Sequence, residues 1–303
     1  RRFTVVEFAD PLTTRRFQVS RSTTLALVKP DAYPHIGKIM DIVYQNDLDI
    51  GRVTMLRLSP KQAAELVKSR PAAGEGQHCA LSEHLSRDAI VALEVVGHDA
   101  VSAWHAVMGP LDPEDAREAA PRSIRAQFGT DPIANAVYGS ASAEDAAREL
   151  DLVFNSDWPS TAVYNNCSLV LIKPHAVAAK IAGVIVDEFL EAGLEVSAMR
   201  TMMLTPTDAE DYLEVYKGVV GEFARWVAEA SSGNAIALEV RGEDIVRTVR
   251  AMAGPYDCEV ARHLAPDSIR ARHGKDSVRN AVHVTDLPLD GPLESKFMFH
   301  VCR

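Results

Sequence analysis

The chain repeats itself. LALVKPDA (Leu25 to Ala32) returns as LVLIKPHA (Leu169 to Ala176), and NAVYGS (Asn135 to Ser140) returns as NAVHVT (Asn280 to Thr285). Between them ALEV at Ala92 recurs at Ala237, GP at Gly109 recurs at Gly254, and SIRA at Ser123 recurs at Ser268. The lysines of the first pair lie 144 positions apart and the later motifs 145. A near-constant offset through motifs in fixed order calls for two copies of one folding unit, not one continuous core. The copies are expected over 22–154 and 164–303, joined across 155–163, where NSDWPST has the composition of a linker.

Each copy mixes two periodicities. TLALV and CSLVLI are short, strand-like runs, whereas Ile36, Ile39, Met40, Val43 and Tyr44 fall at helical spacing, as do Ile181, Val184, Ile185 and Phe189. VTMLRLSP and EVSAMRTMMLTP read as strands that end before proline, and Thr207 is the expected N-cap of a helix running through Tyr216. AIALEV reads as a further strand, followed by a helix from about Asp244 to Ala253. The alternation of strand and helix predicts α+β units with helices packed over one sheet.

Composition excludes several classes. No apolar run approaches the roughly 18 residues needed to cross a bilayer, and the N-terminus has no secretory pattern, which argues against secretion and membrane insertion. Cys79, Cys167, Cys258 and Cys302 form no CxxC pair, so free thiols are expected, with neither zinc nor disulfide. A net charge of −10 argues against a broad nucleic-acid footprint and leaves room for a local anion pocket.

The motifs KPDA and KPHA, SIRA, and NAVH resemble the nucleoside diphosphate kinase family over both copies. The resemblance implies two tandem ferredoxin-like (βαββαβ) domains with antiparallel sheets. It also implies a two-step transfer, in which a histidine takes the γ-phosphoryl group of ATP or GTP and passes it to another nucleoside diphosphate. Carried onto the second copy, it makes His283 the nucleophile and Glu294 the carboxylate that orients its ring. Lys173, Arg250 and Arg270 would face phosphates and Asn280 the sugar; Thr285 keeps a hydroxyl near the nucleotide. Tyr216 would lie near the nucleotide, with Phe223 and Val227 clamping the base. Mg²⁺ would be held mainly by nucleotide phosphates and water, without a dedicated protein cage. Tyr256 and Val284 depart from the family pattern. Trp104, Trp158 and Trp226 read as packing residues.

The first copy departs further. Tyr138 replaces the nucleophile, His105 stands where Arg250 stands in the second copy, and Leu111 replaces a phosphate-contacting threonine. Arg70 or Pro71 falls opposite Tyr216, and Gln77 or His78 opposite Phe223, so the base clamp is expected to be lost. Lys29, Arg125, Asn135 and Glu149 survive. The second site is expected to be catalytic and the first inert.

The arrangement is also similar to a tandem branch of the family associated with cilia and microtubules, in which a DM10 domain precedes the kinase copies. Residues 1–21 resemble the end of such a domain, and an N-terminal portion is expected to be missing. This likeness implies an axonemal location, with tubulin and other doublet-microtubule proteins as partners. Two readings follow: an enzyme, or a structural protein that uses inherited domains as rigid blocks. Taken singly, Lys173 is a solvated strand end and Arg250 a helix-surface ion pair of little energy. Only the ordered set, met twice, points to chemistry.

Overall fold

The computed structural model describes residues 21–68 and 75–302, with side chains from Cys79 onward in the second stretch. The DM10-like segment therefore lies outside the described residues except for Arg21, as do Arg70, Pro71 and the side chains of Gln77 and His78.

The first copy runs β1 (Arg21–Val28), α1 (Ile36–Gln45), β2 (Asp49–Leu56), α2 (Pro60–Val67), α3 (Glu75–Leu85), β3 (Ile90–His98), α4 (Ala100–Met108), α5 (Pro113–Ala119), α6 (Ile124–Phe128), β4 (Val137–Gly139) and α7 (Ala143–Phe154). The second runs β5 (Cys167–Ile172), α8 (Pro174–Ala178), α9 (Ala182–Glu191), β6 (Glu195–Met202), α10 (Pro206–Tyr212), α11 (Phe223–Ala230), β7 (Ala235–Arg241), α12 (Ile245–Ala253), α13 (Cys258–Leu264), α14 (Ile269–His273), β8 (Val282–Val284) and α15 (Gly291–Lys296). Among the described residues eight strands join one sheet in the order β4-β1-β3-β2-β6-β7-β5-β8, with every neighbour antiparallel. Each half is a βαββαβ unit, as expected, with extra helices inserted after β2, α4, β6 and α12.

Strand alternation divides the core. Ala26 and Val28 face a shared core beneath α1 and α9, built on Ile36, Ile39 and Met40 from one copy and Ile185, Val186 and Phe189 from the other. Leu25 and Leu27 face a core private to the first copy, and Leu169 and Leu171 one private to the second. Thr205, not Thr207, caps α10, its hydroxyl accepting from the Asp208 N–H while Asp208 reaches back. Pro206 takes the first helical position, where a missing N–H costs nothing, and that pulls the start two residues forward. The helix then stops at Tyr212, and Tyr216 ends a separate 3-10 turn, Glu214–Tyr216.

The copies meet about a pseudo-twofold axis. Thr54 of β2 pairs with Arg200 of β6, its counterpart 146 positions on, and α1 crosses α9 at Gly37 and Gly183, another pair of counterparts. A Cβ on Gly37 would lie 2.4 Å from the Asp187 backbone nitrogen, and one on Gly183 would lie 2.9 Å from that of Asp41. This reciprocity, residue i on j and j on i, is the signature of an isologous contact. The Val53 N–H donates to the Thr201 hydroxyl (2.8 Å), and the Tyr33 hydroxyl donates to the Val196 carbonyl (3.0 Å) while accepting its N–H (2.7 Å). At the end of the linker, the buried carboxylate of Glu239 on β7 accepts from the N–H groups of Val163 (2.6 Å) and Tyr164 (3.1 Å). Among the described residues no helix is long and apolar enough to cross a membrane.

Candidate active site

His283 sits in the middle of β8, in register with Leu171 of β5. Strand β5 ends at Ile172, so Lys173 projects from the strand end beside it. Around them lies a cavity of about 670 Å³ whose wall includes Lys173, Tyr216, Arg250, Arg270, Asn280 and His283. The residues singled out from sequence for phosphate and sugar thus come together, from four separate parts of the second copy.

The cavity is electrostatically unusual. Burial, together with the neighbouring Arg270, pushes Lys173 down to about 7, and its ammonium donates to the Val278 carbonyl (2.8 Å). Burial likewise draws Arg270 down to about 10, while its guanidinium donates to the carbonyls of Gly254 (2.7 Å) and Val282 (3.2 Å). Burial, with Lys173 and Arg270 close by, holds the His283 ring well below the usual histidine range, at about 3. The ring is therefore a neutral imidazole at physiological pH, with one unprotonated nitrogen. Arg250, in the last turn of α12, donates to the carboxylate of Asp286, which also accepts from the Tyr216 hydroxyl (2.5 Å). Two polar atoms in the wall are buried without partners: the side-chain oxygen of Asn280 and the indole N–H of Trp226. Buried polar atoms are almost always satisfied, so each is open to a partner from water or a ligand.

Three expectations need correction. Glu294 does not touch the His283 ring; its carboxylate accepts from the hydroxyls of Thr285 (2.9 Å) and Tyr212 (3.5 Å), and burial raises it to about 7. Thr285 is not in the cavity wall either. It is fully buried, and its hydroxyl accepts from the Leu169 N–H (2.9 Å) while donating to Glu294. Phe223 and Val227 pack on the core of the second copy instead of lining the cavity. Trp226, read from sequence as plain packing, supplies the aromatic wall with Tyr216 and Tyr256, whose rings meet it edge to face at 5.4 and 6.2 Å. Trp226 stands one residue, about 100° of helical rotation, from Val227, so a small error in the helix phase chooses the wrong face. Asp286 and Glu222 also line the cavity and were missed; nothing in their spacing distinguishes them from surface acids.

At the equivalent place in the first copy the described polar side chains bond to one another. The Tyr138 hydroxyl donates to Glu149 (2.8 Å), as does Ser140 (2.7 Å), and Tyr138 is only 1% exposed. The Lys29 ammonium donates to the Ile133 carbonyl (2.7 Å) and to the side-chain oxygen of Asn135. That is the very atom left open on Asn280. Arg125 donates to the Gly109 carbonyl (2.8 Å), and His105 bonds the Ser140 carbonyl oxygen (2.8 Å).

A tandem pair of four-stranded antiparallel units, one with a neutral histidine among buried cations, defines a class. The chain belongs to the nucleoside diphosphate kinase family, whose model matches residues 22–158 and 166–303. It is 38% identical to nucleoside diphosphate kinase homolog 7 of Rattus norvegicus over 99% of this chain and 77% of that one. The nucleoside diphosphate kinase of Aquifex aeolicus (strain VF5) is 36% identical over 44% of this chain and 92% of its own. A crystal structure of the Aquifex aeolicus enzyme aligns at 38% identity and a TM-score of 0.41, covering 45% of this chain and 96% of that one.

Proposed function

We infer that the second copy is a working nucleoside diphosphate kinase site and that the first is not. The reading rests on one contrast. In the second copy a neutral His283 faces Lys173, Arg250 and Arg270 with the Asn280 oxygen open, whereas in the first the Asn135 oxygen is taken by Lys29 and Tyr138 is bonded to Glu149.

An imidazole nitrogen of His283 bonds to the γ-phosphorus of ATP or GTP as the bond to the bridging oxygen breaks, and the nucleoside diphosphate leaves with that oxygen. A second diphosphate then takes the phosphoryl group by the reverse step. The buried cations oppose the charge spread over the transferring group, worth most in a site that excludes water. Asn280 accepts a sugar hydroxyl, and Trp226, Tyr216 and Tyr256 present apolar faces to the base, which suits tolerance for different bases. Among the described residues no cluster of three metal-ligating side chains occurs, and the two carboxylates of the cavity wall are bonded within the protein, Asp286 to Arg250 and Tyr216 and Glu222 to Ser277. This donor set fits Mg²⁺ carried in by the phosphates, which when bound neutralises part of their charge.

Acid-labile labelling by γ-labelled ATP tests the reading. Wild-type protein is expected to label and His283→Ala to lose labelling and exchange together; full labelling of the variant overturns it.

The internal bonds of Tyr138 and of Lys29 with Asn135 favour a second role for the first copy, as an inert block. On the resemblance to the cilium-associated branch, we place the protein in the axoneme as a component of doublet microtubules, with tubulin and its associated proteins as partners. A chain at −10 is repelled by acidic outer tubulin tails, which favours short-range contacts in the lumen. Tomography of axonemes with and without the protein tests this; unchanged density inside the doublets refutes it.

A further inference from the structure

The two copies solve one local problem with opposite chemistry. Ala136 and Ala281 precede the nucleophile position by two residues, and both are left-handed, with φ of 69° and 70°. An alanine in that region is strained and persists only where the surroundings hold it. On one side the hold is the same: the Lys29 N–H donates to the Ala136 carbonyl and the Lys173 N–H to the Ala281 carbonyl, each at 2.9 Å. On the other side the acceptors differ. In the first copy the Ala136 N–H donates to the Asp31 carboxylate (2.8 Å), which is bonded to the His84 ring (2.6 Å). In the second the Ala281 N–H donates to Nε2 of His175 (3.2 Å), whose Nδ1 meets the Glu229 carboxylate (2.7 Å). Asp31 and His175 are counterparts two residues beyond the strand lysine, and His84 and Glu229 are counterparts on α3 and α11. The acid and the histidine have changed places.

The exchange has a chemical consequence. To accept the Ala281 N–H, Nε2 of His175 must carry no proton, so the ring proton sits on Nδ1 and is donated to Glu229. Protonating His175 would set an N–H against an N–H and break the contact. The aspartate of the first copy stays an acceptor far into acid. We propose that His175, held by Glu229, is a positioning residue for His283: its neutral ring locks Ala281 in the left-handed conformation, and protonation releases it. The positioning role, though not the lock on Ala281, rests on the reading of His283 as the nucleophile.

The surroundings set its range. Glu229 comes from α11, Lys173 from the end of β5 and Lys275 from the loop after α14. Tyr44 and Asp49 of the first copy, with Lys180, line a groove of about 510 Å³ that His175 also borders. Burial lowers the His175 ring, helped by Lys173 and Lys275 and opposed by Glu229. The lock is therefore closed at neutral pH and opens on the acid side.

Hydrogen exchange of the Ala281 amide reads the lock without reference to activity, and labelling of His283 by γ-labelled ATP reads its effect. In wild-type protein both protection and labelling rate should fall together as pH drops. His175→Ala should speed Ala281 exchange by about tenfold, the loss of one net hydrogen bond, and slow labelling. The double variant His175→Asp with Glu229→His copies the first copy. It should restore protection and move the acid limb of both curves to lower pH by about one unit or more, since a carboxylate titrates well below a histidine. A residue that merely filled space would not move that limb. Ala281 exchange that is the same in all three proteins, or an acid limb unmoved by the double variant, overturns the lock. If Ala281 responds as described while His283 never labels, the lock stands and the kinase reading falls. Labelling with an Ala281 amide indifferent to His175 leaves the kinase standing and removes the lock.

Discussion

Replacing Gly37 by alanine separates two opposing effects at the crossing of α1 and α9. In an open helix the change stabilises by about 1 kcal/mol, because alanine loses less backbone freedom than glycine. Here the added carbon would sit 2.4 Å from the Asp187 nitrogen and 2.5 Å from the Gly183 oxygen, where ordinary contact begins at 3.4 Å. Both are backbone atoms, so no side chain can swing aside, and the helices must part by about 1 Å, losing attraction along the whole crossing. Overpacking of this kind costs about 1 to 3 kcal/mol, with rigid backbone neighbours placing it at the upper end. The net expectation for Gly37→Ala is a loss of about 2 kcal/mol. Gly183→Ala, whose nearest contact is 2.7 Å, should lose less. The double variant should lose less than the sum, since helices already parted for one methyl accommodate the second. Urea unfolding followed by tryptophan emission measures all three. Stabilisation by Gly37→Ala, or strict additivity of the pair, would show that the helices do not cross as closely as described.

Three further outcomes follow from the site. Because Lys173 lies at about 7, bringing in phosphates should raise it, so nucleotide binding near pH 8 should take up protons; calorimetry in buffers of different ionisation heat detects this, and Lys173→Met should remove it. Glu294 is raised from 4.5 to about 7 by burial, so the unfolded chain gives up this proton first and stability should fall as pH rises through that window, with the loss complete above about 7. Glu294→Gln should flatten that slope in denaturation midpoints taken between pH 5 and 8; an unchanged slope refutes the assignment. Tyr138→His should not restore exchange activity to the first copy, since Lys29 and Asn135 remain bonded to each other; multiple turnovers by a His283→Ala, Tyr138→His protein contradict this.

The repeat made the architecture legible because matched motifs at a near-constant offset admit few alternatives to two like units. CSLVLI matches β5 residue for residue, since a strand buried on both faces carries a nearly continuous apolar run, here interrupted only by Ser168. Helix phase was harder. On α11 Phe223, Trp226 and Val227 are all apolar, and which of them faces the cavity depends on how the helix sits against α8 and the loop at Ser277, which no local pattern encodes. Glu294 and Thr285 show a second limit. Sequence placed them near His283, and they are near, yet the bond runs from hydroxyl to carboxylate and bypasses the ring. The exchange of Asp31 and His84 for His175 and Glu229 was written in the sequence, but at a separation of more than fifty residues it carries no signal without the fold.

In a pair of identical subunits every substitution at a twofold contact is made twice, so an improvement on one side is also a change on the other. Tethering the copies in one chain removes that constraint. Lys38 reaches Glu191 (2.8 Å) and Asp187 (3.9 Å) across the axis, while its counterpart Val184 offers Asp41 no charge in return. The Gly37 and Gly183 crossing kept its reciprocity, where geometry allows no choice, and its margins became unlike. Tethering thus lets each half differ from the other, and the Lys29–Asn135 and Tyr138–Glu149 bonds of one half have no counterparts at Asn280 and His283 in the other.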